Sequence, residues 1–565
     1  MALSASSILH RPKRIATWDR FLPLLLMALP IVLVSWAVLM YALNLPFWDD
    51  FQVQDHLLLL KNSPGSQKLI HLFDQHWEHR IVWMRLVFAF YVLVNGSLNY
   101  YWLSVIGIIG LLLALGILFA VFRQLSLPLL YFVPVPFLLF TLQSYESMIW
   151  AMASVQNFWF LAFALLVFYW LAQNTTRTRI LALGMGTLVT FSGGNGPIVM
   201  IAGLLVLAYQ RQWRFAGYWA LATVVCITGY FYSYQRISFF PSPFKYPVTD
   251  WIKAFFVFLG SLANPWPNAG AGLLNYESTL WLTTAMGVVV AVVTGRFVFS
   301  LVRRFKKEQV DIPSSFFLGS ILFIGATVAI TVYSRVGFGG PGYLLHGRYK
   351  VYSALALCVV YLISVYTWQN RKSLSRYVVS IIIPSIGLSL LSDYLCLEGM
   401  INQHRRVVAE YVSYLANTPA DRQQAAKEVF VSTKPSLLSN QITQLTDKSW
   451  WTAPTTTSID KIDDQPFMYT IVKADAVNPT LRQPDDGSYI FFKSVTHSYL
   501  FAAQPLRPTS TILTGFSNYF MANGFQAQAL KEKLEPGRYR IGILTHQNNR
   551  IDLAMTNRYV TFTSL

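Results

Sequence analysis

Charge is what this chain has least of. Only 12% of its 565 residues are Asp, Glu, Lys or Arg, while 54% are hydrophobic and 15% are aromatic. Soluble domains carry about a quarter charged residues. The deficit excludes an ordinary soluble enzyme and indicates a polytopic membrane protein. Cysteine is also scarce: Cys226, Cys358 and Cys396 make no disulfide framework, and two of them lie inside apolar segments. The phosphate-loop spacing Gly-x-x-x-x-Gly-Lys-Ser/Thr is missing, so use of a soluble nucleotide has no support. A cleaved signal peptide does not fit either. The first apolar stretch, 21–42, exceeds a signal core of about 7–15 residues, and no small-x-small site follows it.

The charge that is present is unevenly placed. Of the net +18, the first 400 residues carry +14 and the remainder +4. The basic residues lie in short loops between apolar runs rather than on one soluble face, which speaks against a nucleic-acid partner. They fit the positive-inside pattern and anionic lipid headgroups. Residues 1–20, with Lys13 and Arg14, are therefore expected in the cytoplasm, as are the loops carrying Arg177, Arg211, Arg303 and Arg371.

Between 21 and 399 the hydropathy predicts about 10–12 spans. They include 102–122, 154–172, 215–234, 280–301, 316–333, 349–366 and 377–395. The segments 81–94 and 127–142 are apolar but compromised, by Arg85 and by Pro134 and Pro136. Two runs, 180–191 and 198–209, are too short for a hydrocarbon core of about 30 Å. They read as a hairpin entering from the cytoplasm, with the Gly-rich 192–197 at its tip. The first outer loop is 46–80. Beyond 400 the pattern changes to a polar helix over 400–430 and then, from 467, to alternating strands with turn signals. These predict a small β-sandwich-like domain on the outer side. The fold expected is thus an α-helical polytopic membrane protein with a C-terminal extracytoplasmic β-sandwich-like domain.

The chemistry concentrates at that outer side. Asp49 and Asp50 follow the first apolar segment directly, with no Lys or Arg beside them, and two adjacent carboxylates at a membrane boundary need a reason. One Asp would suffice to cap a helix. A pair suits base chemistry: one carboxylate takes the proton of an attacking hydroxyl while the other orients it or holds a cation. Each also raises its neighbour's proton affinity. A second cluster is His76, Glu78, His79 and Arg80, where the arginine fork suits a phosphate and a solvated loop face is the bland alternative. The His-x-Glu-His spacing is not a zinc-helix pattern. A third cluster, Arg335, His346, Arg348 and Lys350, flanks the Gly-rich 337–342. Four cations there suit a phosphate leaving group, and snorkelling is the competing reading. Glu146 and Gln156 are polar residues among aromatics, placed to line a sugar pocket.

A long first span, an outer loop opening with paired acids, interfacial helices and many further spans together resemble the GT-C class of integral-membrane glycosyltransferases. The His-Trp-Glu-His-Arg run (76–80), the Ser-Gly-Gly-Asn-Gly hairpin (192–196) and the Arg348-Tyr349 pair resemble bacterial membrane proteins allied to O-antigen glucosyltransferases of that class. Trp77 departs from the Asn more usual there. The resemblance covers residues 20–395 and leaves out the C-terminal domain. It implies an inverting transfer of a sugar from a polyprenyl-phosphate donor to a cell-envelope glycan or glycolipid acceptor, at the outer face of the bacterial inner membrane. It implies Asp49 as the base with Asp50 in support, and a substrate-binding set of the arginines, the second cluster and Asn195. A divalent cation is optional in that class, and the sequence offers no dedicated site for one. The rival readings are a transporter or flippase of lipid-linked saccharides and a receptor-like protein whose outer domain does the binding. A transporter should show broken helices in matched positions of two halves, and the sequence offers one hairpin without a partner.

Overall fold

The structure, a computed structural model, describes residues 17–237, 240–267, 274–418, 447, 449–476, 483–506, 523–548 and 550–563. Apolar runs become helices, and local signals stop them. Helix α1 (Thr17–Tyr41) leads to the short α2 (Asp50–Asn62) and α3 (Gly65–Leu72), the hairpin β1 (Gln75–His76) and β2 (His79–Arg80), and α4 (Val82–Asn95). Gly96, at a left-handed φ of 77°, ends α4. Asn99 then opens α5 (Tyr100–Arg123) by accepting from the Trp102 N–H at 3.2 Å. Pro134 and Pro136 hold the 127–142 run to one short helix, α6 (Pro134–Leu139). After α7 (Tyr145–Met148) comes α8 (Ala151–Gln173).

The expected hairpin is α9 (Thr176–Thr190), opened by a Thr175–Thr178 capping box, and α10 (Gly196–Tyr209). At 15 and 14 residues and about 1.5 Å per residue, neither reaches across a bilayer core. The chain continues through α11 (Trp213–Phe231), α12 (Val248–Leu259), α13 (Tyr276–Lys306), α14 (Ile312–Gly339), α15 (Lys350–Trp368) and α16 (Leu374–Asn417).

Among the described residues, seven stretches are long and apolar enough to cross a membrane: Phe21–Tyr41, Tyr100–Arg123, Ala151–Gln173, Tyr276–Lys306, Ile312–Leu345, Gly347–Trp368 and Leu374–Asn417. This is fewer than the 10–12 expected from hydropathy. The shortfall has local causes: α4, α9 and α10 are short, the 127–142 run is broken by proline, and α11 is diluted by Arg214, Gly217 and its tyrosines. The expected last span and the polar helix after it are one helix, α16, running 44 residues through Pro384. Residues 1–16 and 419–430 of the expected basic terminus and polar helix lie outside the described residues.

Contacts sort the two ends of the bundle. Arg211 pairs with Glu308, Gln210 donates to the Leu171 carbonyl at 2.9 Å, and Arg304 stacks 4.9 Å from the Tyr366 ring. The C-terminal ends of α8, α10, α13 and α15 therefore meet at one end. The other end carries the 42–81 loop and the half-barrel.

That C-terminal domain departs from the sandwich expected. Strands β3 (Lys461–Asp464), β4 (Met468–Lys473), β5 (Gly487–Lys493), β6 (Ser498–Pro505), β7 (Phe525–Leu530), β8 (Gly537–Gln547) and β9 (Arg550–Phe562) form one antiparallel sheet, ordered β3-β4-β7-β6-β5-β8-β9 and curled into a half-barrel. A strand expected at 511–516 lies outside the described residues. One sheet suffices because its outer face is covered by helices. All of β5 is buried: Ile490 and Phe492 enter the barrel core, while Tyr489 and Phe491 pack with Leu45, Phe47 and Val408. The end of α16 clamps the sheet: Asn417 Nδ2 donates to the Ser498 carbonyl at 2.7 Å, and the Leu500 N–H donates to Ser413 Oγ at 2.8 Å.

Candidate functional site

The two neighbouring aspartates have opposite fates. Asp50 is the first residue of α2 and is fully buried. Its Oδ2 accepts the Phe47 N–H at 3.0 Å and its Oδ1 the Met152 N–H at 3.1 Å. Burial pushes its carboxyl up to about 8, against the pull of those two donors. Asp50 thus ties the loop to the start of α8. Asp49 makes no helix cap and faces a cavity of about 590 Å³. Its Oδ1 accepts the Trp77 indole N–H at 3.3 Å, and its Oδ2 stands 3.8 Å from His76 Nε2. Burial opposes ionisation of Asp49, but His76, then Trp77 and His79, outweigh it and hold the carboxyl below its ordinary value. One aspartate is a charged group on a cavity wall, and the other a neutral tie.

The β1–β2 hairpin places the second cluster. His76 pairs with His79 across it, so Trp77 and Glu78 form the turn. Trp77 sits at φ 50°, a backbone region that costs a bulky residue and suits Asn or Gly. His79 and Glu78 line the cavity. Burial, then the nearby His76 and Arg335, push His79 down to about 3, so it is a neutral imidazole. His76 is buried behind Asp49. Arg80, expected on a phosphate, spends its donors on the Tyr230, Tyr232 and Phe73 carbonyls and stands apart from the cavity lining.

The third cluster divides too. Arg335, on α14, reaches the cavity in an ion pair with Glu78. Its Nε donates to the Tyr349 hydroxyl at 3.1 Å. Arg348 also lines the cavity; it donates to the Tyr343 hydroxyl at 2.9 Å, lies 5.0 Å from the Tyr349 ring, and its buried Nε has no partner among the described residues. His346 faces a neighbouring cavity instead. Lys350 is buried, donating to the Asn264 and Trp266 carbonyls at 2.8 and 3.1 Å, where it fixes a loop.

The α9–α10 tip supplies Gly193, Gly194 and Asn195. A Cβ at Gly193 would come 3.0 Å from the Phe160 ring, a tight contact that the ring would have to yield to by a few tenths of an ångström. Asn195 Nδ2 donates to Thr327 Oγ1 at 3.0 Å. Gln156 lines this cavity as expected of it, and Glu146 the neighbouring one. Arg236, Asn157 and Trp150 are also on the lining and were not singled out from sequence. Asn157 had a signal, as a second amide beside Gln156 within an apolar run; Arg236 lay in a loop without periodicity.

The first cavity is lined by both charged and apolar side chains. Phe231, at the end of α11, and Ile330 and Tyr333, on α14, line it and are 53%, 44% and 48% exposed on the outer surface of the bundle. It therefore opens between apolar helix faces. Among the described residues, no three His, Cys, Asp or Glu side chains are grouped to hold a metal ion. The fold and site together define an apolar helical bundle with a polar cavity under a β half-barrel. Comparison with protein-family models, curated proteins and solved structures found no match.

Proposed function

We propose that this chain is a multi-pass membrane glycosyltransferase of GT-C type, moving a sugar with inversion from a polyprenyl-phosphate donor to a cell-envelope glycan. The observation that carries this reading is the lining of the first cavity: the Asp49 carboxylate, a neutral histidine and three arginines stand together with apolar side chains of the helix faces. A lipid-linked sugar phosphate has that polarity. Its isoprenoid tail would lie along Phe231, Ile330 and Tyr333, and its phosphate beside Arg348, Arg236 and Arg335.

The step is a single displacement. The acceptor hydroxyl oxygen attacks the anomeric carbon, the bond from that carbon to the phosphate oxygen breaks, and Asp49 takes the hydroxyl proton. The charge growing on the departing phosphate is met by the arginines. Glu78 is engaged with Arg335, whereas Asp49 holds only the longer contacts to Trp77 and His76, so Asp49 is the base. With the basic loops on the cytoplasmic side, the half-barrel lies on the outer, periplasmic side of a bacterial inner membrane. A divalent cation is an option, not a requirement, of this mechanism.

The test uses purified full-length protein in detergent with polyprenyl-phosphate hexoses and envelope-glycan acceptors. Transfer by the wild type, lost a hundredfold or more in Asp49→Asn with the fold intact, is the result expected. Undiminished transfer in Asp49→Asn would remove Asp49 from the chemistry. Lipid scrambling without transfer in proteoliposomes would turn the reading to a flippase.

A further inference from the structure

A second cavity, of about 460 Å³, lies against the first. Trp150 and Arg348 line both, and the consecutive residues Trp48 and Asp49 divide between them, Trp48 facing the second and Asp49 the first. Trp48 sits at φ 49°, a costly backbone for a tryptophan. The distortion turns residues 48 and 49 to opposite sides. The Trp48 ring stacks on Phe47 at 5.0 Å and stays 51% exposed.

The far wall belongs to the half-barrel. Strands β6 and β7 pair with Gln504 opposite Gln526, and Gln528 lies two residues on, on the same face. All three line the cavity, and their amides make no hydrogen bond among the described residues. The opposite face carries Phe525, Ala527 and Ala529 into the barrel core. The helical wall adds Asn402, whose Oδ1 is buried without a partner among the described residues. Charges balance, with Arg348, Arg406 and Lys533 against Glu146, Glu398 and Glu410. The Lys533–Glu410 pair, at 2.5 Å, ties the half-barrel to α16 there.

We infer that this second cavity is the acceptor site, holding a neutral oligosaccharide between the Trp48 ring and the glutamine face of β6 and β7, with its attacking hydroxyl directed past Trp150 to Asp49. The inference rests on the transferase reading above. A pyranose offers an apolar C–H face to an aromatic ring and a rim of hydroxyls that both donate and accept. Amides answer that rim because they too donate and accept. The balanced charge disfavours an acidic or basic polymer, and the volume suits a ligand of a few sugar units. The half-barrel then has a task in the reaction: it supplies half of the acceptor's contacts.

The experiment measures equilibrium binding of fluorescently labelled neutral oligosaccharides, two to six hexose or N-acetylhexosamine units long, to detergent-purified full-length protein without donor. The variants are Gln504→Ala/Gln526→Ala/Gln528→Ala and Asp49→Asn, with thermal unfolding as the control for fold. The triple variant alters an outward polar face and should unfold with the wild type. The expected result is binding by wild type and Asp49→Asn, weakened at least tenfold in the triple variant. Equal binding by wild type and triple variant would overturn the inference, as would no binding by the wild type. Binding of a neutral peptide mixture in place of the sugars, lost in the triple variant, would overturn the glycan assignment. The transferase reading fails separately: Asp49→Asn would transfer as well as the wild type, whatever the binding shows.

Discussion

The cavity around Asp49 is walled by helices and loops, whereas its neighbour is half helix and half sheet. The first holds Arg335 in a pair with Glu78 and between the Phe240 and Phe338 rings at 5.6 and 5.7 Å, and Arg348 against the Tyr349 ring. A helical bundle that buries charge compensates it locally. The sheet face at the second cavity carries neutral amides instead, placed two residues apart by strand geometry. On the reading proposed above, the first site takes an anion on a lipid and the second an uncharged chain of hydroxyls.

Asp49→Asn should break the comparison most strongly. A positioned general base contributes about 10²–10⁴-fold, so transfer should fall by that factor while oligosaccharide binding holds. Arg348 stands on the shared wall. Arg348→Ala should weaken donor and acceptor together, with kcat/KM lower by about 10–100-fold from the loss of a charged donor; Arg348→Lys should recover only part, because a point charge replaces a fork. Titrating each substrate in turn separates the two losses.

The next effect is on stability. Asp50 takes up a proton on folding between its ordinary 3.8 and about 8. What that proton contributes is whole below 3.8 and lost as pH rises towards 8. His79 acts in the opposite sense. Its folded value of about 3 lies below the ordinary 6.5, so its contribution is whole above 6.5 and lost as pH falls towards 3. Thermal unfolding across pH should show Asp50→Asn flattening the decline as pH rises from about 4 to 8 and His79→Gln the decline as pH falls from 6.5 towards 3. The smallest effect belongs to the hairpin turn. Trp77→Asn relieves a left-handed tryptophan worth about 1 kcal/mol, raising Tm slightly. It also removes the indole donor to Asp49, so the acid limb of the rate profile should move to higher pH.

Much of the frame was legible in sequence because its causes are local. Pro134 and Pro136 broke a run, and the 12-residue limbs of the hairpin at 192–197 announced their shortness. The expected β7, 525–530, coincides with the strand because alternation there is strict. β3 escaped notice because Lys461, Asp463 and Asp464 hide an edge strand among charges. The sandwich expectation failed because alternation reports which face is apolar, and says nothing of which strands pair.

The site was legible in its parts and not in its assembly. Sequence alone determined that this is an apolar, helix-dominated chain with basic loops, a pair of acids after its first long apolar helix and a strand-rich end, since hydropathy and periodicity are properties of neighbouring residues. Only the tertiary structure decided that Asp49 faces a cavity while Asp50 is buried against the Met152 N–H, 102 residues away. The same is true of Arg335 meeting Glu78 and of Arg80 and Lys350 turning to backbone carbonyls. Those outcomes depend on burial and on partners far along the chain, and a carboxylate or a guanidinium has no charge state or task until the fold has supplied both.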